Sequence, residues 1–167
     1  RHQEKKNYIK SLYNLGSCRL QQNQAQRALK SIQECINEDQ KQNLISTENK
    51  YFALGKVYYQ LGELTKSREA LQFAKTLVTP GDADYVYELL ARVHLGLKEH
   101  EAALQIIQEI PQKMRRPYVR WTEADILMAQ KHIEEAINTL DRALSKDRRS
   151  KHKTLIRLSR IYFGQKN

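Results

Sequence analysis

Histidine and acidic side chains occur close together at two places in this sequence, and such groups can bind zinc or transfer protons. His132 and Glu135 are three residues apart, which puts them on one face of a helix. His100 stands between Glu99 and Glu101. Both groups fall at turns between predicted helices, so we expect them to be exposed to solvent rather than gathered into a site.

The remaining reactive side chains also lack partners at useful spacing. His94 has no second ligand at helical spacing, so we expect a packed, hydrogen-bonded core histidine rather than a metal ligand. Cys18 and Cys35 form neither a disulfide framework nor a zinc motif, and we expect both to be buried thiols. The sequence contains no nucleophile elbow and no glycine-rich phosphate loop. We therefore expect no catalytic residues, no cofactor, no metal site and no enzyme activity here.

The composition is that of a folded, charged domain, with 40% hydrophobic residues, 29% charged residues and a net charge of +10. No apolar run approaches the roughly 20 residues that cross a bilayer, and no apolar leader opens the chain. The sequence begins at Arg1 and stops inside a helical pattern, which favours a fragment of a larger protein. With two cysteines and no disulfide framework, we expect an intracellular protein, cytoplasmic or nuclear.

Apolar residues recur with helical spacing along the whole chain, and glycine, proline and polar clusters separate the runs. Pro80 and Pro111 each end a helical run, whereas Pro117 stands in a first turn, where proline is tolerated. We predict nine helices, at 4–21, 24–38, 47–61, 65–78, 83–97, 99–110, 117–130, 132–145 and 152–164.

Small residues mark the first helix of each predicted pair, at intervals of 33 to 39 residues: Gly16, Gly55, Ala91, Ala124 and Ser159. Twelve residues after each of the first four comes another small residue: Ala28, Ser67, Ala103 and Ala136. Four residues further on comes a large one: Ile32, Leu71, Ile107 and Leu140. Small residues at these positions let paired helices approach to roughly 8–10 Å, while the larger ones fill the layers between them.

Residues 51–80 carry this pattern most completely. The residues concerned are Tyr51, Leu54, Gly55 and Tyr58, followed by Ser67, Leu71 and Ala74. In this order of large and small residues the chain resembles the tetratricopeptide-repeat family. The resemblance implies an all-α fold, a right-handed α-α superhelix (solenoid) of about four helix hairpins plus one final helix. It also implies a single domain over 1–167, with repeats at about 9–46, 48–81, 84–116 and 117–150 and a half repeat at 152–167.

The fourth repeat departs most from the family pattern. Its seventh position is Glu123, where a large apolar residue is usual, and its fourth position is Arg120. A slight shift in register would turn Trp121 or Tyr118 inward instead. Both alternatives stay open at this point.

In this family the first helix of each hairpin lines a concave groove, and fixed positions of that helix face a bound partner. Carried over, these positions predict a groove set of Tyr13, Phe52, Lys56, Tyr59, Tyr85, Arg92, Tyr118, Trp121, Lys153 and Arg160. Aromatic and arginine side chains are enriched where proteins bind one another. We therefore expect a scaffold or adaptor that binds a peptide or partner helix within a multi-subunit assembly. The alternative is that several of these aromatics only pack between hairpins.

Positive charge is concentrated toward the C-terminal end, where residues 113–167 hold 14 lysines and arginines against 6 acidic residues. The basic patch comprises Lys146, Arg148, Arg149, Lys151 and Arg157. Such a patch attracts an acidic protein partner, binds a nucleic acid such as RNA, or is only a solvated linker. Two further interpretations are a regulatory domain beside an enzyme outside this stretch, and self-association through 152–167, where a final helix exposes an apolar stacking face.

Overall fold

The computed structural model describes residues 2–147 and 149–164, and the regular secondary structure in these ranges is helical. The helices are α1 His2–Gln21, α2 Ala25–Glu38, α3 Thr47–Gln60, α4 Leu64–Lys75, α5 Asp84–Gly96, α6 His100–Gln108, α7 Pro117–Ala129, α8 Ile133–Lys146 and α9 Lys151–Gly164, with a short 3-10 helix at Gln112–Met114. The chain divides after residue 79 into two compact units, with α1 to α4 in the first and α5 to α9 in the second. The predicted all-α class is confirmed. The single domain with the repeat boundaries given above stays a prediction.

The first unit consists of two helix hairpins, α1 with α2 and α3 with α4, and α2 packs in turn against α3. Each hairpin turns through a residue in the left-handed region, Asn23 at φ 58° and Gly62 at φ 77°. Asparagine and glycine adopt this conformation more readily than other residues. The core of the unit includes four side chains with no exposed surface: Ile9, Ile32, Val57 and Leu71.

The small residues of α1 and α3 lie against large residues of the paired helix, as the repeat pattern predicts. A Cβ atom on Gly16 would lie 2.5 Å from Cδ1 of Ile32, and one on Gly55 would lie 2.5 Å from Cγ of Leu71. Ser67 is fully buried, and its hydroxyl donates to the carbonyl oxygen of Gly55 at 2.8 Å. Glycine is therefore favoured at both crossings, because a side chain there would displace the facing residue.

A buried ion pair anchors the polar connector between α2 and α3. Asp39 has no exposed surface, and its carboxylate accepts hydrogen bonds from the N–H groups of Leu44 at 2.7 Å and Ile45 at 2.9 Å. Lys50, 5% exposed, places its Nζ 3.0 Å from the same carboxylate. Burial by itself raises the pKa of Asp39, but the hydrogen bonds from Ile45, Leu44 and Lys50 outweigh it and hold the pKa below its ordinary value. The connector is thus tied to the start of α3.

The second unit pairs α5 with α6 and α7 with α8, and α9 packs against α8. Its small and large repeat residues are at most 1% exposed: Ala91, Ala103, Ala124, Ala136, Ile107 and Leu140. Leu158 and Ile161 of α9 join the apolar cluster around Leu140. Ser159, the fifth small residue of the pattern, is exposed on α9.

The fourth repeat keeps its predicted register although its seventh position is charged. Ala124 is 1% exposed and lies in the apolar cluster of the unit. Glu123 beside it is buried and accepts a hydrogen bond from Nη1 of Arg115 at 2.6 Å. A buried arginine therefore supplies the counter-charge that makes a carboxylate tolerable at this position. The alternative register, in which Trp121 or Tyr118 would take the inward position of Glu123, does not occur.

Helix α4 ends at Lys75, three residues before the predicted end. The following residues form turns with hydrogen bonds between residues three apart, such as Leu77 N–H to the Ala74 carbonyl oxygen at 3.1 Å. The hydroxyl of Thr76 donates to the Phe73 carbonyl oxygen at 2.7 Å. Threonine at a helix end competes for backbone groups in this way, which shortens the helix relative to its apolar pattern.

The histidines largely follow the sequence-based expectations. His94 is 7% exposed and its Nδ1 lies 2.5 Å from a carboxylate oxygen of Glu99, which confirms a packed, hydrogen-bonded histidine. His132 and Glu135 are exposed and 3.6 Å apart, as predicted. His100, the first residue of α6, is half-buried rather than exposed.

The two cysteines differ from each other. Cys35 is fully buried, as expected, and burial raises the pKa of its thiol. Cys18 is exposed, so the expectation of a buried thiol was wrong. It follows Gly16 by two residues, which turns it about 200° around α1 from the side that packs on α2.

Candidate functional site

In the second unit the first helices of the repeats, α5, α7 and α9, are joined side by side by polar contacts. Thr122 donates to a carboxylate oxygen of Glu88 at 2.5 Å, which links α7 to α5. The indole N–H of Trp121 donates to the hydroxyl of Thr154 at 2.8 Å, which links α7 to α9. Six of the ten residues of the groove set belong to these three helices.

Trp121 holds two cations of α9 beside its ring. Lys153 Nζ lies 5.7 Å and Arg157 Cζ lies 5.0 Å from the ring centroid, distances that suit cation–π attraction. The Nε of Arg157 also lies 3.6 Å from an oxygen of Asp125. Trp121 itself is half-buried and packs against the apolar cluster of the unit. Trp121 therefore does two things: it exposes part of its ring, and it holds Lys153 and Arg157 in place beside that ring.

Two carboxylates on these helices have altered titration. Burial raises the pKa of Glu88, and the Thr122 hydrogen bond and the charge of Arg92, 3.9 Å away, only partly offset it. Partial burial also raises the pKa of Asp125, whose side chain is 49% exposed, and the charge of Arg157 only partly offsets this. Both acids lose their charge at a higher pH than unperturbed carboxylates do, so this surface becomes more positive as the pH falls.

Tyr118 belongs to a cluster that joins the starts of α5 and α7. Asp84 is 3% exposed, and its carboxylate accepts two hydrogen bonds from the guanidinium of Arg116, one of them from Nε at 2.7 Å. The Cζ of Arg116 lies 5.4 Å from the Tyr118 ring. Burial, and then a hydrogen bond with Asp84, raise the pKa of Tyr118. This groove-set residue is thus engaged with its own chain.

Sequence reasoning missed the partners that hold these groove-set residues. Arg116 follows Asp84 by 32 residues and Thr154 follows Trp121 by 33, close to the repeat interval. A polar pair separated by one repeat is therefore the signal that would have found them. The two groove-set residues of α5 differ in exposure: Tyr85 is half-buried and Arg92 is exposed.

The groove-set residues of the first unit fall into two kinds. Phe52 and Tyr59 on α3 are half-buried, and the exposed Lys56 places its Nζ 5.8 Å from the Phe52 ring. Tyr13 on α1 is half-buried and packs against two apolar clusters, one around Ile32 and Val57 and one around Ile9 and Leu12. The interpretation that some aromatics pack between hairpins therefore describes Tyr13 better than it describes Phe52.

The residues of the predicted basic patch differ in exposure and in contacts. Lys146, Arg149 and Lys151 are exposed. Arg157 instead contacts Trp121 and Asp125. Arg148 lies outside the described residues.

Asp147, the acidic residue within the basic segment, is buried in the turn before α9. Its Oδ1 accepts hydrogen bonds from the N–H groups of Arg149 at 2.9 Å and Ser150 at 2.8 Å. The hydrogen bond from Ser150 contributes most to lowering the pKa of Asp147. The carboxylate is therefore used to shape the turn.

A pocket of about 260 Å³ lies between α7, α8 and α9, and we call it the α7–α9 pocket. It is lined by Ala124, Met128, Leu140 and Ile161 and by the charged residues Asp125, Arg157 and Arg160. The sequence predicted Arg160 as a groove residue but not the pocket, because the pocket needs side chains from three helices that only packing brings together.

In the described part of the chain no group of three or more histidine, cysteine, aspartate or glutamate side chains is arranged to hold a metal ion. No helix of residues 2–147 and 149–164 is both long and apolar enough to span a bilayer. What these helices present is aromatic rings, cations held against them, and one pocket with an apolar floor.

Comparison with solved structures identifies the fold. A thermophilic TPR protein from Thermus thermophilus superposes with a TM-score of 0.77 at 17% identity, over 93% of this chain and 81% of that one. Repeats of a putative kinesin light chain from Podospora anserina give 0.74 at 17% identity, over 94% and 86%. YrrB, a TPR protein with an unusual peptide-binding site, gives 0.60 at 18% identity, over 81% and 67%. The predicted helical-repeat class (α-α superhelix) is confirmed.

Sequence comparison leads to the same family. No curated protein is significantly similar in sequence. The Tetratricopeptide repeat-like domain matches residues 2–160. This is in general a non-catalytic protein-interaction fold, which supports a role for the chain as an interaction scaffold. Because the match covers nearly the whole sequence, the chain belongs to the tetratricopeptide repeat-like domain family.

Proposed function

We propose that the chain is a scaffold or adaptor module that captures an acidic peptide or partner helix on the first helices of its repeats. The observation that carries this proposal is the cluster at Trp121, with Lys153 and Arg157 5.7 and 5.0 Å from its ring. An aromatic ring flanked by cations offers a partner both apolar area and charge. The fold supports protein interaction in general, and the structural neighbour YrrB has a peptide-binding site.

The residues have distinct roles in this proposal. Phe52 and Tyr59 serve as apolar anchors in the first unit, and Lys56 attracts acidic side chains beside them. In the second unit Arg92, Lys153 and Arg160 do the same, with Tyr85 as an anchor. Trp121 offers its ring and holds Lys153 and Arg157 beside it, whereas Tyr13 and Tyr118 act chiefly by holding the surface in shape.

We propose an intracellular site of action, cytoplasmic or nuclear, within a multi-subunit assembly. Cys18 and Cys35 are free thiols, which fits a reducing compartment.

Phe52→Ala is expected to weaken binding of the partner by about tenfold or more, because truncating an aromatic hot-spot residue costs about 2 kcal/mol or more. The partner is first isolated with the chain from native lysate, at low and at raised salt, with a nuclease-treated arm. Affinity is then measured by calorimetry with the purified partner.

Phe73→Ala is the matched control for this substitution. Phe73 is also partly exposed in the first unit, at 44%, but lies on the second helix α4 and packs against Tyr51 with ring centroids 4.5 Å apart. Equal affinities of the Phe52→Ala and wild-type chains, both folded by circular dichroism, would refute the proposed binding surface.

Nucleic-acid binding is the second candidate, supported by the exposed basic side chains of Lys146, Arg149 and Lys151. If it is correct, a labelled single-stranded RNA should bind with an affinity that falls steeply with salt. Arg149→Gln combined with Lys151→Gln should then lower both the affinity and the salt slope. Recovery of the partner in the lysate experiment that disappears with nuclease would favour this candidate over the first.

Self-association through α9 is the least favoured of these proposals. Leu155, Tyr162 and Phe163 are 51%, 50% and 72% exposed on this helix, which offers apolar area. However, every charged residue from 149 to 164 is basic, so two copies meeting through α9 would bring like charges together. Sedimentation equilibrium at low and high salt tests it, since a dimer of this kind should form only when salt screens the repulsion.

A further inference from the structure

The α7–α9 pocket has an apolar floor of a size that suits one side chain. Ala124, Leu140 and Ile161 are 1%, 0% and 7% exposed, and the half-buried Met128 stands beside them. The volume of about 260 Å³ lies below the roughly 300–1,000 Å³ typical of small-molecule sites. An aliphatic side chain entering it would bury its surface against carbon atoms on several sides.

The rim of the pocket has unused hydrogen-bonding capacity. Arg157 Nε is buried and makes no hydrogen bond within the described part of the chain. The nearest carboxylate oxygen, on Asp125, is 3.6 Å away, beyond the usual 2.7–3.2 Å. A buried guanidinium N–H without an acceptor is costly, so an added acceptor here would be stabilising.

Arg160 adds a second cation to the rim. It is exposed and lines the pocket. The pocket lining thus holds two cations, Arg157 and Arg160, against one carboxylate, that of Asp125, and the charges of both act on this carboxylate. One positive charge is therefore in excess. An occupant with a negative charge beside its apolar group therefore complements the pocket.

We propose that the α7–α9 pocket docks a short acidic segment of a partner protein in which Leu, Ile or Met stands next to Asp or Glu. The aliphatic side chain lies over Ala124, Leu140 and Ile161, and the neighbouring carboxylate pairs with Arg160 and with the guanidinium of Arg157. A nucleic-acid phosphate would use the cations but leave the apolar floor unoccupied. The inference rests on the proposed function, because it assigns the partner's chemistry at one part of the same surface.

Methyl NMR of the two methionines tests where such a segment binds. The probe is a labelled nine-residue peptide with Asp-Leu-Asp at its centre and glycine and serine around it. The chain has two methionines: Met128 lines the pocket, whereas Met114 lies against Gly81. The Met128 methyl signal should shift and saturate along the binding curve measured by fluorescence anisotropy, while the Met114 signal stays in place.

A cycle of substitutions tests the two halves of the recognition. Replacing the probe's leucine by alanine should raise Kd about tenfold or more. Arg160→Gln and the Asp-to-Asn change in the peptide should each raise Kd. Combined, they should raise Kd by less than the product of the two separate factors. Lys113→Gln, which removes the same charge from the exposed 3-10 helix before α7, is the matched control and should change Kd by much less.

Three results would overturn the inference. The first is peptide binding that leaves the Met128 signal unmoved or that is indifferent to the leucine; the proposed scaffold function would then stand without this pocket. The second is no binding of the acidic probe at all. In that case the affinities of wild-type and Phe52→Ala chains for the purified partner still decide the proposed function independently. The third is an RNA oligonucleotide that shifts the Met128 methyl signal as the peptide does. Charge alone would then account for binding at this site, which would overturn the inference.

Discussion

Leu71→Ala is expected to lower the free energy of unfolding by about 2–5 kcal/mol. Leu71 is fully buried and is the residue against which Gly55 closes the second hairpin. Its removal takes away apolar contact and leaves a cavity that the two helices cannot close without moving. Because folded domains are stable by only about 5–15 kcal/mol, this loss is large.

Gly55→Ala tests the other side of the same contact. The new Cβ would lie 2.5 Å from Cγ of Leu71, and overpacking of this kind costs roughly 1–3 kcal/mol. The better helix propensity of alanine, about 1 kcal/mol, opposes but does not cancel it. In the double variant the methyl group added at position 55 occupies space vacated by Leu71, so the combined cost should be smaller than the sum.

Urea titration followed by far-ultraviolet circular dichroism measures these effects. Trp121 lies in the second unit, so its fluorescence is a poor reporter for the first. Gly164→Ala is the control, since apart from its own helix no part of the described chain lies within 4 Å of the position its Cβ would take. Strictly additive costs of Leu71→Ala and Gly55→Ala would show that the close approach at this crossing does not determine stability.

Asp39→Asn is expected to cost roughly 3–5 kcal/mol, the usual effect of removing one partner of a buried ion pair. Lys50, 5% exposed, would keep its charge without the carboxylate 3.0 Å away. The asparagine would also place its NH2 group, a donor, against the N–H group of Leu44 or Ile45, where the carboxylate of Asp39 places an acceptor.

Glu38→Gln is the matched control for Asp39→Asn. Glu38 pairs with Lys5 at 3.2 Å, but both side chains are more than 40% exposed. An exposed pair of this kind contributes about 0–1 kcal/mol, so the control should be nearly neutral. Similar losses for Glu38→Gln and Asp39→Asn would contradict the role given to burial.

The same carboxylate predicts a pH dependence of stability. The pKa of Asp39 is lower in the folded chain than its ordinary value of about 3.9, so its contribution is fully present above that pH. It is lost as the pH falls further and the folded carboxylate is protonated. The difference in unfolding free energy between wild type and Asp39→Asn should therefore shrink below about pH 4. A constant difference down to about pH 2, on urea titration at a series of pH values, would contradict this assignment.

The positions of close packing followed from the sequence because close approach of two helices can be met by few residue types. Gly16, Gly55, Ala91 and Ala124 could be recognised as crossing points by size and spacing alone. Helix boundaries were equally local, and Pro117 began α7 as proline does in a first turn. Where a polar side chain competed for backbone groups, as Thr76 does, the boundary moved.

The charged contacts could not be placed in the same way. Glu123 looked like a defect in the fourth repeat until Arg115, eight residues earlier, was found buried against it. Arg157 looked like part of a basic patch until it was found beside Trp121 and Asp125. Long charged side chains have many rotamers, and their partners depend on which helices are neighbours.

The sequence by itself therefore determined the family, the order of helices and the residues at which they touch, because these depend on the size of side chains at a regular spacing. It also supplied the set of first-helix positions from which a binding surface is proposed. Only the tertiary structure decided which of those residues are engaged with their own chain, as Tyr13 and Tyr118 are. It alone formed the α7–α9 pocket, because three helices must pack before Ala124, Leu140 and Ile161 share one surface.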